Sequence, residues 1–209
     1  IVGVGLNYRD HAKEAGMPIP AEPILFMKAT TCISGPSDPL LLPPGSVKTD
    51  WEVELAIVIG SVARHVAVDK ALDHVAGYCV ANDVSEREYQ LERGNQWDKG
   101  KGCDTFGPLG PWLVTADEVT DPQDLHLWLE LNGQRVQDGS TANMVFGCAE
   151  LVSYISRFMT LLPGDVIVTG TPPGVGLGMN PPHFLKAGDT LRLGIDGLGV
   201  QEQAVIASR

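Results

Sequence analysis

Short apolar segments that end at glycine or proline set the pattern of this chain. Residues 1–6 are apolar and lead into the polar segment 7–14, an order that predicts a short strand followed by a turn of helix. Residues 17–23 contain three prolines and are therefore predicted to form a loop.

Two longer segments, 50–59 and 71–82, are rich in apolar residues and predict strands. Because side chains alternate between the two faces of a strand, 50–59 separates into two sets. One face carries Val53, Leu55 and Ile57, and the other carries Glu52, Glu54 and Ala56.

A helix is predicted to begin after Asp83. Ser85 and Glu88 have the Ser-x-x-Glu spacing of a capping box, so Asp83 is expected at the junction between a strand and a helix. In that case its carboxylate could serve merely as a partner for the helix dipole.

The C-terminal half has the clearest local signals. Asn132-Gly133 between alternating residues predicts a hairpin over 127–136, and 148–159 has helical spacing that ends before Pro163-Gly164. A strand at 165–169, a Gly- and Pro-rich loop at 170–178 and two strands within 190–207 follow. With no repeat or linker, the fold class predicted is a single β-rich α+β domain spanning 1–209.

Composition and charge limit the fold class and the kinds of partner that the chain can have. The 24 glycines and 15 prolines favour turns between short strands over a helical bundle. A net charge of −11 disfavours nucleic acid and anionic membrane surfaces as partners.

No apolar run reaches the about 18 residues that span a bilayer, and four cysteines without CxxC spacing suggest neither a disulfide framework nor a zinc site. We therefore expect a cytoplasmic protein that binds small molecules. Because the chain begins at Ile1 without Met, we also expect that a small domain upstream is missing.

Glu52, Glu54 and Asp83 are the candidate metal ligands. Two glutamates on one strand face lie about 7 Å apart at the backbone, and an arbitrary pair of this kind is usually solvated. Here the surrounding strand is apolar, and buried carboxylates require a cation. Three carboxylates without His or Cys describe a site for Mg²⁺, Mn²⁺ or Ca²⁺.

Candidate substrate contacts follow Asp83. Arg87 and Gln90 would face the metal side of the predicted helix, although from the residues alone a surface salt bridge is the more ordinary role for Arg87 beside two glutamates. Lys99 and Lys101 lie next to Gly100 and Gly102. These glycines favour close approach to the backbone but do not distinguish a surface role of the lysines from a role in the site.

His11 and Glu14 are three residues apart, the spacing at which a carboxylate can orient an imidazole that activates water. Such a pair is more often an ordinary surface contact. The segment 170–178 is rich in glycine but lacks the Gly-Lys-Ser/Thr ending of a phosphate-binding loop. We therefore expect the backbone N–H groups of this segment and the Thr171 hydroxyl to bind a carboxylate.

Five motifs occur in an order that resembles the fumarylacetoacetate hydrolase superfamily. They are NYRDHAKE (7–14), EVE (52–54), NDVSER (82–87), KGCDTFGPLGP (101–111) and GTPPGVG (170–176). Within that superfamily, 95–115 is most similar to members acting on 2,4-diketo-3-deoxy sugar acids such as the L-rhamnonate and L-fuconate derivatives.

The resemblance implies a rolled mixed β-fold with short helices and a homodimer. It implies Mg²⁺ or Mn²⁺ held by Glu52, Glu54 and Asp83, a catalytic His11–Glu14 dyad on a closing segment, and Lys101 at the reacting oxygen. It places Arg87, Gln90 and Thr171 at the polar groups of a keto-acid substrate.

The reaction implied is hydrolysis of the C–C bond of an acylpyruvate, with L-lactate as the acid product if the substrate is a sugar acid. Two alternatives stay open at this point. One is decarboxylation of oxaloacetate or isomerisation of 2-hydroxyhepta-2,4-diene-1,7-dioate on the same metal. The other is a binding protein in which Ca²⁺ is purely structural.

Overall fold

The computed structural model describes residues 1–208, which form fifteen strands and three short α-helices. The strands are β1 Val2–Gly5, β2 Ile24–Met27, β3 Ile33–Ser34, β4 Leu40–Leu42, β5 Thr49–Asp50, β6 Val53–Ile59, β7 Val75–Asn82, β8 Ser85–Glu86, β9 Gly107–Pro108, β10 Val114–Thr115, β11 His126–Leu131, β12 Gln134–Ser140, β13 Val166–Val168, β14 Thr190–Ile195 and β15 Gly199–Ala207. The helices are α1 Arg9–Glu14, α2 Asp98–Lys101 and α3 Cys148–Ile155.

The first large sheet has six strands in the order β10-β7-β6-β13-β1-β2. Only the β1–β13 pair is parallel, and its neighbours are antiparallel. Strand β6 lies inside this sheet and is buried on both faces, as its apolar sequence predicts. The end of β7 therefore meets the start of β6, which brings residues 52–54 close to residue 83.

The second large sheet has five strands in the order β12-β11-β14-β15-β4, with only β4 parallel to its neighbour. Strands β11 and β12 form the predicted hairpin, and Asn132 and Gly133 have φ values of 52° and 79°. Positive φ at both central residues belongs to the turn type that Asn-Gly favours.

The main core lies where β6 and β7 of the first sheet contact β11, β14 and β15 of the second. Leu55, Ile57 and Leu129 are among the side chains fully buried there. Ala56, on the opposite face of β6, packs in a separate small cluster with Cys79 and Val168. The predicted division of β6 into two faces and the β-rich α+β fold are both confirmed.

Two local predictions around the site are wrong. The segment 50–59 is not one strand, because Thr49–Asp50 pairs separately with Ser85–Glu86. The helix expected from Ser85 does not form either: the Ser85 hydroxyl donates to the Asp83 carbonyl at 2.9 Å, and the Glu88 N–H donates to the Glu86 carboxylate. A short π-helical turn, Glu88–Glu92, takes its place.

Other predicted elements are shifted at their ends. The helix expected over 148–159 stops at Ile155, and the strand expected over 71–82 begins at Val75 after a 3₁₀ turn. Among the described residues all four cysteines are free. None of the helices formed by residues 1–208 has the length and apolar character needed to cross a membrane.

Candidate active site

The three predicted metal ligands come together at the end of β7 and the start of β6. The Asp83 N–H donates to the Glu52 carbonyl at 2.9 Å, so the two residues lie opposite each other across the strand pair. One carboxylate oxygen from each of Glu52, Glu54 and Asp83 lies within 4.8 Å of the others, and all three residues are buried.

Two lysines contact this acidic cluster. Lys101 Nζ lies 2.6 Å from Glu52 Oε2 and 2.6 Å from Asp83 Oδ2. Lys28 Nζ lies 2.5 Å from the other Asp83 oxygen. Burial alone would lower the pKa of Lys101, but the Asp83 and Glu52 carboxylates raise it above its ordinary value. Lys101 is therefore a fixed cation and hydrogen-bond donor rather than a base.

Glu54 differs from its two neighbours. Burial would raise the pKa of Glu52, but Lys101 and Arg87 hold it well below its usual range. In contrast, burial raises the pKa of Glu54 well above its ordinary value, and the charges of Asp83 and Glu52 raise it further. The hydrogen bond found for the Glu54 carboxylate within residues 1–208 comes from the Gly170 N–H at 2.7 Å.

The donor set fits a hard divalent cation. Three buried carboxylates supply only oxygen, as Mg²⁺ and Mn²⁺ prefer. When all are ionised, the four carboxylates of Asp50, Glu52, Glu54 and Asp83 outnumber the three cations Lys28, Arg87 and Lys101 by one negative charge. A bound divalent cation would make the group net positive and able to hold an anionic substrate.

Arg87 is engaged largely by protein carboxylates. Its Nε and Nη2 lie 2.8 and 2.7 Å from Asp50 Oδ2, Nη2 lies 2.7 Å from Glu52 Oε1, and Nη1 donates to Gln90 Oε1 at 3.0 Å. A guanidinium has five N–H donors, so little capacity remains for a substrate. Arg87 and Gln90 do share one side, as predicted, although no α-helix holds them there.

The loop 170–178 binds carboxylates, but they are the protein's own. The Gly170 N–H donates to Glu54, the Gly174 N–H to Glu14 at 3.0 Å, and the Gly176 N–H to Asp50 at 2.7 Å. This loop therefore positions a predicted metal ligand, the carboxylate of the dyad and the partner of Arg87 at once.

The Thr171 hydroxyl is likewise hydrogen-bonded within the protein. Its hydroxyl donates to the Val53 carbonyl at 2.9 Å and accepts from the Gln137 amide at 2.8 Å. Gln137 also accepts the Val53 N–H at 2.9 Å, so its side chain joins the end of β6 to the loop. Thr171 lies in the cavity wall, yet its hydroxyl proton is already used.

The predicted dyad is formed on α1. His11 Nδ1 lies 3.0 Å from Glu14 Oε2, while Glu14 Oε1 accepts the Gly174 N–H. An ionised carboxylate only accepts hydrogen bonds, so Nδ1 carries the proton and Nε2 keeps the lone pair that can take a proton from water. The Asp10 carboxylate accepts hydrogen bonds from the backbone N–H of His11 and from the side-chain amide of Asn143. The bond from Asn143 fixes α1 against the rest of the chain.

A cavity of ≈ 370 Å³ unites these groups. Eight of the nine predicted site residues line it: His11, Glu14, Glu52, Glu54, Arg87, Gln90, Lys101 and Thr171. Asp83 is not among the lining residues and is bound by Lys101 and Lys28. The remaining lining is mostly apolar and includes Phe26 and Trp97.

Sequence reasoning missed Lys28 and Asp50. Asp50, Glu52 and Glu54 alternate along the chain, and this period of two was the signal for a third carboxylate on the same side. Lys28 directly follows the apolar strand β2, and a buried lysine there is unexpected unless it has a charged partner.

Comparisons with known proteins identify the family of this chain. The family model described as fumarylacetoacetate (FAA) hydrolase C-terminal matches residues 1–206. A relative from Burkholderia ambifaria, named only provisionally as a hydrolase, is 66% identical over 209 residues, which are 100% of this chain and 74% of the relative.

Two solved structures are also similar. A fumarylacetoacetate hydrolase from psychrophilic Exiguobacterium antarcticum has a TM-score of 0.92 and 42% identity, covering 100% of this chain and 75% of that one. A 2-hydroxyhepta-2,4-diene-1,7-dioate isomerase from Mycobacterium marinum has a TM-score of 0.87 and 41% identity, covering 99% and 74%. The chain is therefore an enzyme and belongs to the fumarylacetoacetate hydrolase family.

Proposed function

We propose that this enzyme hydrolyses the C–C bond of a 2,4-diketo acid, an acylpyruvate, with Mg²⁺ or Mn²⁺ as cofactor. The products are pyruvate and a carboxylic acid. The observation that carries the proposal is the placement of the acidic cluster Glu52, Glu54 and Asp83 near the His11–Glu14 dyad, with the two glutamates and the dyad lining one cavity.

Glu52, Glu54 and Asp83 would hold the cation. When bound, it supplies Lewis-acid polarisation of the α-keto acid group. Family members commonly use a divalent metal, which supports this assignment.

His11 and Glu14 prepare the nucleophile. His11 Nε2 takes a proton from water as the water oxygen attacks the distal ketone carbon. Glu14 holds the imidazole in the required tautomer and stabilises the imidazolium that forms, because its carboxylate is fixed by the Gly174 N–H.

The C–C bond then breaks, and its electron pair enters the departing pyruvate enolate. Lys101 has three N–H donors, of which Glu52 and Asp83 take two. The third is available to an enolate oxygen. The imidazolium returns its proton to the enolate carbon, so water has been added across the bond and pyruvate is released.

The test follows the loss of enol absorbance of acetylpyruvate with Mg²⁺. We expect turnover that ceases with EDTA and falls steeply in His11→Ala, whereas Lys13→Ala, on the same helix but exposed, retains it. Full activity after chelation or in His11→Ala would contradict the proposal.

A second candidate is supported by the 41% identity to the dioate isomerase. Isomerisation of that compound, or decarboxylation of oxaloacetate, needs no attacking water. Turnover of either compound that depends on Glu52 but not on His11 would favour this alternative. The sugar-acid substrate expected from the sequence resemblance remains a special case of the hydrolase proposal.

A further inference from the structure

We infer that the acyl substituent of the substrate is an apolar chain without a terminal charge, an inference that rests on the proposed function. The observations that carry it are the polarity gradient along the ≈ 370 Å³ cavity and the commitment of its cationic side chains to protein partners. Both concern the end of the cavity that lies away from the acidic cluster.

The cavity is charged at its buried end. Glu52, Glu54, Arg87 and Lys101 line it and are at most 6% exposed. The keto-acid group common to all acylpyruvates belongs at this end, since it requires the cation site and the Lys101 donor. The acyl substituent must therefore extend in the other direction.

An aromatic wall leads away from the charged end. Lys101 Nζ lies 5.0 Å from the centroid of the Phe26 ring, and the Phe26 ring lies 5.7 Å from that of Trp97. Trp97 packs over Gly5, where an added Cβ would come within 2.3 Å of the indole ring. The wall is thus continuous from the ammonium group to the indole.

Large apolar side chains form the solvent-exposed part of the cavity lining. Met17, Leu91 and Leu177 line the cavity and are 52%, 39% and 39% exposed. Exposed apolar side chains that converge on one cavity mark a place where an apolar partner is bound. An aliphatic acyl chain would remove them from water, whereas a hydroxylated or ionised chain would place polar groups against them.

A terminal carboxylate finds no arginine or lysine at this end among the described lining residues. Among the described residues that line the cavity, Arg87 and Lys101 are the fixed cations. Arg87 is held by Asp50 and Glu52, and Lys101 by Glu52 and Asp83. Both belong to the buried end, so a dioate would leave its second charge among Met17, Leu91 and Leu177.

Turnover of a substrate series tests the inference. With Mg²⁺, we expect kcat/KM to rise from acetyl- to butanoyl- to hexanoylpyruvate by up to about fourfold per methylene, the factor that corresponds to ~0.8 kcal/mol per buried CH₂. Fumarylpyruvate, an acylpyruvate with a terminal carboxylate, and a 2,4-diketo-3-deoxy sugar acid should be poorer substrates than hexanoylpyruvate. A flat series, or a preference for either polar substrate, overturns the inference.

Leu91→Ser should lower the ratio of kcat/KM for hexanoylpyruvate to that for acetylpyruvate by about threefold to tenfold, by the loss of apolar contact. Leu72→Ser is the matched control, because Leu72 is also 39% exposed but does not line the cavity. An unchanged ratio in Leu91→Ser, with an intact thermal transition, contradicts the assignment of Leu91.

Binding separates this inference from the hydrolase proposal. 2-Oxohexanoate and 2-oxoadipate share six carbons and the keto-acid group but differ in the terminal carboxylate. In the presence of Mg²⁺ we expect 2-oxohexanoate to bind at least tenfold more tightly, measured by calorimetry. Tighter binding of 2-oxohexanoate without cleavage of any acylpyruvate would support the apolar end of the cavity and overturn the hydrolase proposal. Cleavage of acylpyruvates together with equal or tighter binding of 2-oxoadipate would do the reverse.

Discussion

Asp50 and Arg87 form a buried ion pair in which Nη2 and Nε of the arginine lie 2.7 and 2.8 Å from Oδ2 of the aspartate. The Asp50 carboxylate also accepts the N–H groups of Gly176 and Leu177, while Arg87 reaches Glu52 at 2.7 Å. The pair therefore links the loop 170–178 to a predicted metal ligand.

Asp50→Asn should destabilise the fold. Removing one partner of a buried ion pair typically costs about 3–5 kcal/mol, because the other charge is left without compensation. The free energy of unfolding, measured in urea, should fall by about 3 kcal/mol. Asp73→Asn is the control, since the Asp73 side chain is 71% exposed and a surface substitution changes stability by less than about 0.5 kcal/mol. Equal stability of the two variants would show that the Asp50–Arg87 pair adds nothing.

Mg²⁺ should raise the thermal transition of the wild-type enzyme. A ligand at 100 times its dissociation constant stabilises the native state by about 2.7 kcal/mol. Glu54→Gln should abolish this increase. Without added metal, the same variant should be as stable as the wild type or more stable, because an uncharged amide replaces a carboxylate next to two like charges. A Mg²⁺-dependent increase that survives in Glu54→Gln would remove Glu54 from the ligand set.

Glu14→Gln should lower kcat with little change in KM. Glu14 acts through His11, and loss of general-base assistance reduces rates by about 10²-fold or more. The Glu14 side chain is 23% exposed, so the thermal transition should move little, which separates positioning of His11 from a structural role. A change in KM with kcat unchanged would contradict a catalytic role for the dyad. So would a loss of thermal stability large enough to account for the loss of activity. Lys13→Gln on the same helix serves as the control.

The cysteines should react slowly with thiol reagents in the native enzyme. Burial raises the pKa of Cys79 and Cys103 to about 11 and that of Cys148 to about 12. At pH 8 a thiol of pKa about 11 is about one-thousandth thiolate, the reactive form. With Ellman's reagent, guanidinium-unfolded protein should react within minutes and native protein far more slowly, Cys103 first because it is only partly buried. Rapid reaction of several native thiols would refute this.

The same shifts predict a loss of stability at alkaline pH. Each thiol has a higher pKa in the folded state than the ordinary value of about 8.5, so its contribution is complete below pH 8.5 and declines as the pH rises towards 11. The free energy of unfolding, measured in urea between pH 8 and 11, should fall over this window. A Cys79→Ala variant should show a shallower decline.

Local patterns were sufficient for several elements because their physical cause lies within a few residues. Asn132-Gly133 forms the predicted turn since both residues tolerate positive φ. The two faces of β6 follow from alternation alone, and that alternation placed Glu54 on the side away from the main core. The His11–Glu14 contact needs only one turn of helix.

The capping-box prediction failed for a tertiary reason. Ser85 and Glu86 pair with Thr49 and Asp50, and this strand pairing overrides the local preference for a helix. Arg87 and Gln90 nevertheless face one side, because Arg87 is held by Asp50 and Glu52 rather than by helical periodicity.

What the amino-acid sequence determined by itself was the order of the motifs, the faces of the strands and the residue types of the candidate site. The tertiary structure alone decided which partners the side chains of those residues contact. Gly170 meets Glu54 across 116 residues, Gly176 meets Asp50 across 126, and Gly174 meets Glu14 across 160. No local period encodes contacts of that separation, because they arise only when the packed sheets bring the loop over the acidic cluster.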